Sequence, residues 1–393
     1  RVLRLKPGSR AQDLTVANAQ SKAFVDSLRG YALDVNGATV ENCVVTNGLA
    51  TEIRIPVIRE HCVFLGKDGT LANVQVCGTT VKPMGTGSQG GVVYVSSGLM
   101  TNCQVFANSS RDKVCSSLTL DGATAQAVDC DIFGNTAVNV EGRSAVSGGA
   151  SILGGGGKLV CCRVTGNTNE GSSGNSYAGG LCAAGGNALV DRCIITNNAS
   201  GFFANHTTAG AGGVLISGSA TLRNTLVAGN RLTGVKSTNL GIVGGGVLVT
   251  TAAASVENCT IADNVLDGAC CESAGVHLTG ASSVVNCIIW NNGGTPTGGE
   301  WMLGNVSNTA ATVTYTCTMP LAEGAGNIAE DPKLKVNKGY LVKSSSPCVN
   351  AGDPTGWTAD DVDLLGNPRL RKGATIDMGC YQATLQGLLL MVK

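Results

Sequence analysis

The amino-acid sequence predicts an all-β solenoid, a parallel β-helix of about eleven coils, and three observations carry that prediction. The stretch "VENCVVTNG", residues 40–48, returns as "MTNCQVFAN", "AVDCDIFGN", "LVDRCIITNN", "SVENCTIADN" and "SVVNCIIWNN". Two positions after the cysteine, ten successive copies carry only β-branched residues: Val16, Val45, Val76, Val105, Ile132, Val164, Ile195, Val227, Ile261 and Ile289. Such a column is a strand signal. About ten residues upstream runs a second strand, often introduced by Gly-Gly, as in "GGVVYV", "GGVLIS", "GGVLVT" and the related "AGVHLT". Its inward pairs, such as Val93 with Val95 and Val214 with Ile216, alternate at period two.

Each element of the repeat has its own residue logic. The cysteine column reads Leu14, Cys43, Val74, Cys103, Cys130, Cys162, Cys193, Thr225, Cys259, Cys287 and Thr316, with 27 to 34 residues between the first ten. The first ten are preceded by Asn or Asp, with Cys161 and Arg192 as exceptions, which marks a corner. Five positions on, Asn108, Asn135, Asn167, Asn198, Asn230, Asn264 and Asn292 form a second column. Each coil is therefore expected to hold two or three short strands, tight corners and one longer loop. One coil cannot bury its own apolar face, but a stack of coils can.

In such a stack, column neighbours lie one strand spacing apart, about 4.8 Å. The cysteine is then a buried small residue filling a corner, because Val, Thr and Leu share its column. Parallel Cβ atoms about 4.8 Å apart miss the ~3.8 Å that a disulfide needs. A parallel ladder does not converge on a metal either. Ten of the 17 cysteines lie outside the column. Cys270 and Cys271 are vicinal in a loop, a redox or metal pair or an accident of loop sequence. Cys348 and Cys380 are the candidate disulfide of the C-terminal segment. An odd total leaves at least one thiol free in a single chain.

Composition narrows the function classes. The chain has 393 residues, 56 of them Gly, with 43% apolar and only 14% charged residues, enough to build a large core. Lys plus Arg equals Asp plus Glu at 27 each, so nothing suggests a nucleic-acid or anionic-membrane partner. The stretch "GLLLMVK" is too short to span a bilayer. The sequence opens inside a repeat, so a processed or trimmed chain is expected.

The repeat stops near residue 318, which divides the chain into a β-helix, 1–318, and a C-terminal cap or anchor-like segment, 319–393. A solenoid end is a strand edge that needs covering. "DPKLKV", "GYLVKSSSPCVNAGD", "DLLGNPR" and "IDMGCYQ" resemble the choice-of-anchor Q domain that ends many bacterial surface β-helix proteins. The chain departs from that pattern at Leu365 and at Gly379, Cys380, Tyr381 and Gln382, where Ala and Glu are usual. The body resembles right-handed parallel β-helix repeats of the polymorphic outer-membrane-protein kind. These resemblances imply a right-handed coil, in line with the hand of parallel crossovers, and export to the bacterial surface or beyond. Asp353, Asp361 and Asp363, with Asp360 and Asp377, are the candidate ligands of a calcium ion. The alternative is that they cap turns and pair with Arg369 and Arg371.

Polysaccharide-cleaving β-helix enzymes carry their reactive groups on the outer side of one parallel sheet. Here that column reads Arg4, Asp34, Phe64, Tyr94, Thr119, Ser151, Cys182, Leu215, Leu248, His277 and Met302. Asp34 is its one carboxylate, whereas glycoside hydrolysis uses two, about 5–10 Å apart. His277 is a candidate base or a packed histidine. Tyr177, Phe202, Phe203 and His206, in loops of adjacent coils, are candidate sugar-stacking residues or loop packing. Leu215 and Leu248 are a candidate contact patch. The expected function is an exported, non-catalytic surface or structural protein for adhesion or self-assembly, with itself or a surface polysaccharide as partner. A polysaccharide lyase or glycoside hydrolase with a loop-borne site, and a carbohydrate-binding protein, are the alternatives.

Overall fold

The computed structural model describes residues 3–21, 30–51, 61–82, 91–111, 116–139, 146–171, 176–202, 209–235, 243–251, 253–268, 273–294, 304–307, 311–371, 373 and 375–383. It is an all-β parallel solenoid, as the sequence predicts, with four stacked sheets of 15, 11, 11 and 9 strands. Within a coil the chain visits them in order, for example Leu181–Ala183, Leu189–Asp191, Ile194–Thr196 and Ala199–Phe202. Among the described residues the pairings between coils are parallel and, apart from register shifts at Gly30/Leu33, Leu232/Val235 and Ser273/Val276, keep equivalent residues in line, as in Ile195 opposite Val164 and Val227. The β-branched column and the inward pairs Val93 and Val95, Val214 and Ile216, Val247 and Val249, Val276 and Leu278 share one apolar core.

The corners explain the residue preferences. The position before the cysteine column has φ between 47° and 57° in all eleven coils, including Cys161, Arg192 and Tyr315. Asn and Asp tolerate that left-handed conformation best among non-glycine residues. A second left-handed bend, at Ala107, Gly134, Gly166, Asn197, Gly229, Asp263 and Asn291, leads into the Asn column. There the asparagines stack. Asn198 Nδ2 donates to Val164 O and to Asn230 Oδ1, both at 2.9 Å, while its Oδ1 accepts from Asn167 N and Nδ2, both at 3.0 Å. The column satisfies corner groups that no sheet ladder reaches.

The cysteine column is more polar than an inert filler. Cys162 Sγ accepts from Cys130 N at 3.4 Å and lies 3.2 Å from Val160 O, to which it donates. Thr225 Oγ1 does the same, accepting from Cys193 N at 3.2 Å and donating to Arg223 O at 2.8 Å. Cys and Thr share the column because each places a donor and acceptor at the same bend. Burial pushes the thiols of Cys162, Cys193 and Cys259 up.

Two features differ from the sequence reading. The fourth sheet, including Thr168–Gly171, Ala199–Phe202 and Arg231–Val235, is built from residues that read as loop. Their strand state comes from ladder bonds to neighbouring coils rather than from alternation. The first sheet also continues backwards through Val146–Ser147, Ser176–Ala178, Ala209–Ala211 and Val243–Gly244, rejoining at Ser273–Leu278. The Gly-Gly pairs are the bend between its two halves. A Cβ on Gly212 would sit 2.4 Å from Gly245 O, and one on Gly213 2.6 Å from Gly246 O, so neither position accepts a side chain.

After Cys317–Thr318, the last strand of the third sheet, residues 322–328 cover the end of the stack. Ala322 packs on the core, and Asn327 takes up Thr316 N at 2.9 Å and Val313 O at 2.8 Å. The later described residues of the segment, 348–383, lie on the wall rather than on that end. They turn back along it: Asn286 bonds Asp353, Asn258 bonds Asp377, Thr260 bonds Cys380, and Leu226 and Ala228 pack with Cys380 and Tyr381.

Candidate functional site

The outer column of the first sheet is in register as read, from Arg4 and Asp34 through Phe64, Tyr94, Thr119, Ser151, Cys182, Leu215 and Leu248 to His277. Its last member differs. Ser307, not Met302, pairs with His277, and Met302 lies outside the described residues.

In the early coils the column gathers polar groups. Asp34 is fully buried; Arg4 Nε lies 3.4 Å from its Oδ2 and Asn36 Nδ2 donates to its Oδ1 at 2.5 Å. Tyr94 stacks on His61 at 4.2 Å and on Phe64 at 5.9 Å, and its hydroxyl donates to Asp121. Asp121 is the carboxylate that the sequence reading missed. It lies two residues beyond Thr119, hence on the same face of the strand. Asp34 and Thr119 are three strand steps apart, about 14 Å, so Asp34 and Asp121 do not stack as a hydrolytic pair.

In the later coils the column is sealed. Cys182, Leu215 and Leu248 are 0%, 2% and 0% exposed and pack with Ala178 and Ala211. The expected contact patch at Leu215 and Leu248 is thus interior. The strands preceding each Gly-Gly lay small residues over it, and sequence alternation alone did not show this second layer. Burial pushes the Cys182 thiol up to about 12. Ser147 Oγ meets Ser151 Oγ at 3.1 Å, and Ser116 Oγ meets Thr119 Oγ1 at 2.8 Å, closing the middle coils in the same way. His277 is buried as well.

The aromatic candidates are only partly placed. Tyr177 and Phe202 belong to strands of the first and fourth sheets. Phe203 and His206, like Cys270 and Cys271, lie outside the described residues.

In the C-terminal segment the acidic candidates hold turns. Asp353 Oδ1 accepts from Thr355 N at 3.0 Å, and Asp361 Oδ2 accepts from Thr358 N and Oγ1, both at 2.8 Å. Asp363 takes Leu365 N, Asn367 N and Gln382 N at 2.9, 2.8 and 2.8 Å. Asp377 forms a bidentate pair with Arg371 at 2.8 and 2.9 Å. Among the described residues no group of three or more His, Cys, Asp or Glu converges as metal ligands.

Arg369 does not pair with these acids. It is fully buried, its Nε donates to Asn224 Oδ1 at 2.8 Å, and its guanidinium lies 5.5 Å from the centre of the Trp357 ring. Burial pulls its pKa down. The expected Cys348–Cys380 disulfide is not formed; both thiols are free. They face different partners, Cys348 packing with Cys317 and Cys380 with Leu226 and Tyr381.

No protein-family model matches the chain, and no curated protein matches it. The resemblances to choice-of-anchor and outer-membrane-protein repeats therefore rest on the residues quoted above. Among solved structures, a crystal structure of the pectate lyase Pel9A is similar, with a TM-score of 0.39 and 12% identity over 89% of each chain. Among the described residues no helix is long and apolar enough to cross a membrane.

Proposed function

We propose that the chain is an exported, non-catalytic β-helix of the bacterial surface whose rigid walls serve adhesion or self-association. One observation supports this most: the outer face of the first sheet, where a β-helix enzyme would hold its reactive groups, is closed by the chain itself over Cys182, Leu215 and Leu248. The early coils of the third sheet offer an alternative surface. Phe106 and Phe133 stack there at 4.9 Å, with the Arg163–Asp131 pair beside them. Export, and the anchoring role of the C-terminal segment, rest on the choice-of-anchor resemblance.

The second reading, a lyase or hydrolase acting on a polysaccharide, is favoured by the group of His61, Tyr94 and Asp121, with Asp34 further along the same outer face. The test is a panel of acidic and neutral polysaccharides, with and without calcium, followed for chain cleavage, alongside light scattering across a concentration series. Association or polymer retention without cleavage supports the first reading. Cleavage lost in both Asp34→Asn and Asp121→Asn would establish the second.

A further inference from the structure

Two thiols far apart in the repeat pattern meet where the C-terminal segment lies on the solenoid. Cys317 opens the last strand of the third sheet, opposite Ile288 and outside the cysteine column. Cys348 belongs to the "SPC" turn at 346–348, and its carbonyl accepts from Met378 N at 3.0 Å. Both are fully buried and free, and they pack in one cluster with Ile288, Val342 and Met378. Cys317 Sγ donates to Glu330 O at 3.2 Å, at the edge of that shared cluster. Within the column, neighbouring thiols come from equivalent, parallel positions of one ladder. Cys317 and Cys348 instead come from two separate elements that meet across a seam, the arrangement from which a disulfide closes.

We propose that Cys317 and Cys348 are a disulfide-forming pair that fixes the C-terminal segment to the solenoid wall in an oxidising compartment. The compartment rests on the export proposed above; the pairing does not. The oxidant is a small-molecule or protein disulfide. One cysteine thiolate attacks it, forming a mixed disulfide and releasing one thiol. The second thiolate attacks the protein sulfur of that mixed disulfide and expels the other thiol. The chain loses two protons and two electrons, and the oxidant is reduced to two thiols. The Cys348 contact and burial push the Cys317 thiol well up, so the folded seam holds little thiolate. Closure therefore accompanies docking of the segment rather than following it.

The test refolds the whole chain with a mixture of oxidised and reduced glutathione, alkylates the remaining thiols under denaturing conditions, and maps peptides by mass. The expected result is a chain lighter by two hydrogens, with Cys317 and Cys348 in one linked peptide that reductant separates. In Cys348→Ser the link is gone, while Cys380→Ser keeps it. Recovery of both cysteines alkylated from chain with native far-ultraviolet dichroism overturns the proposal, as does Cys348 joined to any other cysteine. Should refolding yield no native chain, the same map on protein secreted to a bacterial periplasm decides between these results. A linked peptide there supports both pairing and setting. A link formed only with glutathione upholds the pairing and counts against export.

Discussion

Replacing Asn198 by Ala removes the centre of the asparagine column. Four hydrogen bonds disappear: those from Asn198 Nδ2 to Val164 O and Asn230 Oδ1, and those from Asn167 N and Nδ2 to Asn198 Oδ1. Asn198 is 1% exposed, so water does not readily replace them. At roughly 1 kcal/mol net for each bond, the local cost is about 4 kcal/mol. Asn198→Asp keeps the acceptor but turns a donor into a second acceptor facing Val164 O, in a buried corner. It is expected to cost at least as much. Solenoids open locally, so a single global midpoint is the wrong readout. Native-state hydrogen exchange at the Asn167 amide, which donates to Asn198, reads the opening directly. A 4 kcal/mol loss accelerates that exchange by about a thousandfold. Gln104→Ala, on the outer wall of the third sheet, should leave it unchanged. Acceleration below about tenfold would refute the view that the column holds the corner by hydrogen bonds.

Other consequences follow from the same contacts. Cys162→Thr should change stability by less than about 1 kcal/mol, because Thr225 already makes both bonds of the column; Cys162→Ala, which loses them, should cost about 1–2 kcal/mol by denaturant melts. Arg369→Met should be near neutral or stabilising, because it removes a buried charge while keeping bulk, whereas Asn224→Ala strips the acceptor from that charge and should cost about 3 kcal/mol, with Trp357 emission reporting release of the segment. Stability should fall at alkaline pH. Burial raises the thiols of Cys62, Cys182 and Cys380 from 9.0 to about 11, 12 and 12, so their contribution is complete below pH 9 and is lost as pH climbs towards those values. Each thiol costs up to about 1.4 kcal/mol of stability per pH unit of rise in that window, and urea melts from pH 8 to 11 check the slope.

The coil register was legible because a stacked solenoid repeats one physical environment in every turn. The αL bend selects Asn or Asp, the interior selects Val or Ile, and the corner selects a small donor–acceptor. Cys161 and Arg192 broke the pattern without breaking the bend, since neighbouring coils impose the geometry. The fourth sheet was hidden because "TNEG" and "ASGF" carry no alternation of their own. The lateral docking of the C-terminal segment did leave a signal that went unread. Outward positions of the third sheet run Gln75, Gln104, Asp131 and Arg163, then change to Ile194, Leu226, Thr260 and Ile288 where the segment lies. An outer wall that turns apolar marks a covered wall. The site residues were harder to read. Asp121 sits off the column by one period of two, and the acids of the segment look like ligands until their turns are seen.

The most direct test of a closed outer face is the alkylation of Cys182 in the native protein. Cys182 lies in the middle of the column that an enzyme would use and is fully buried, whereas Cys77 is partly exposed on the third sheet. With iodoacetamide at pH 8 and peptide mapping over time, Cys77 should be modified while Cys182 stays unlabelled until denaturant is added. Labelling of Cys182 in step with Cys77 would mean an open groove at that face, and the non-catalytic account would fail with it.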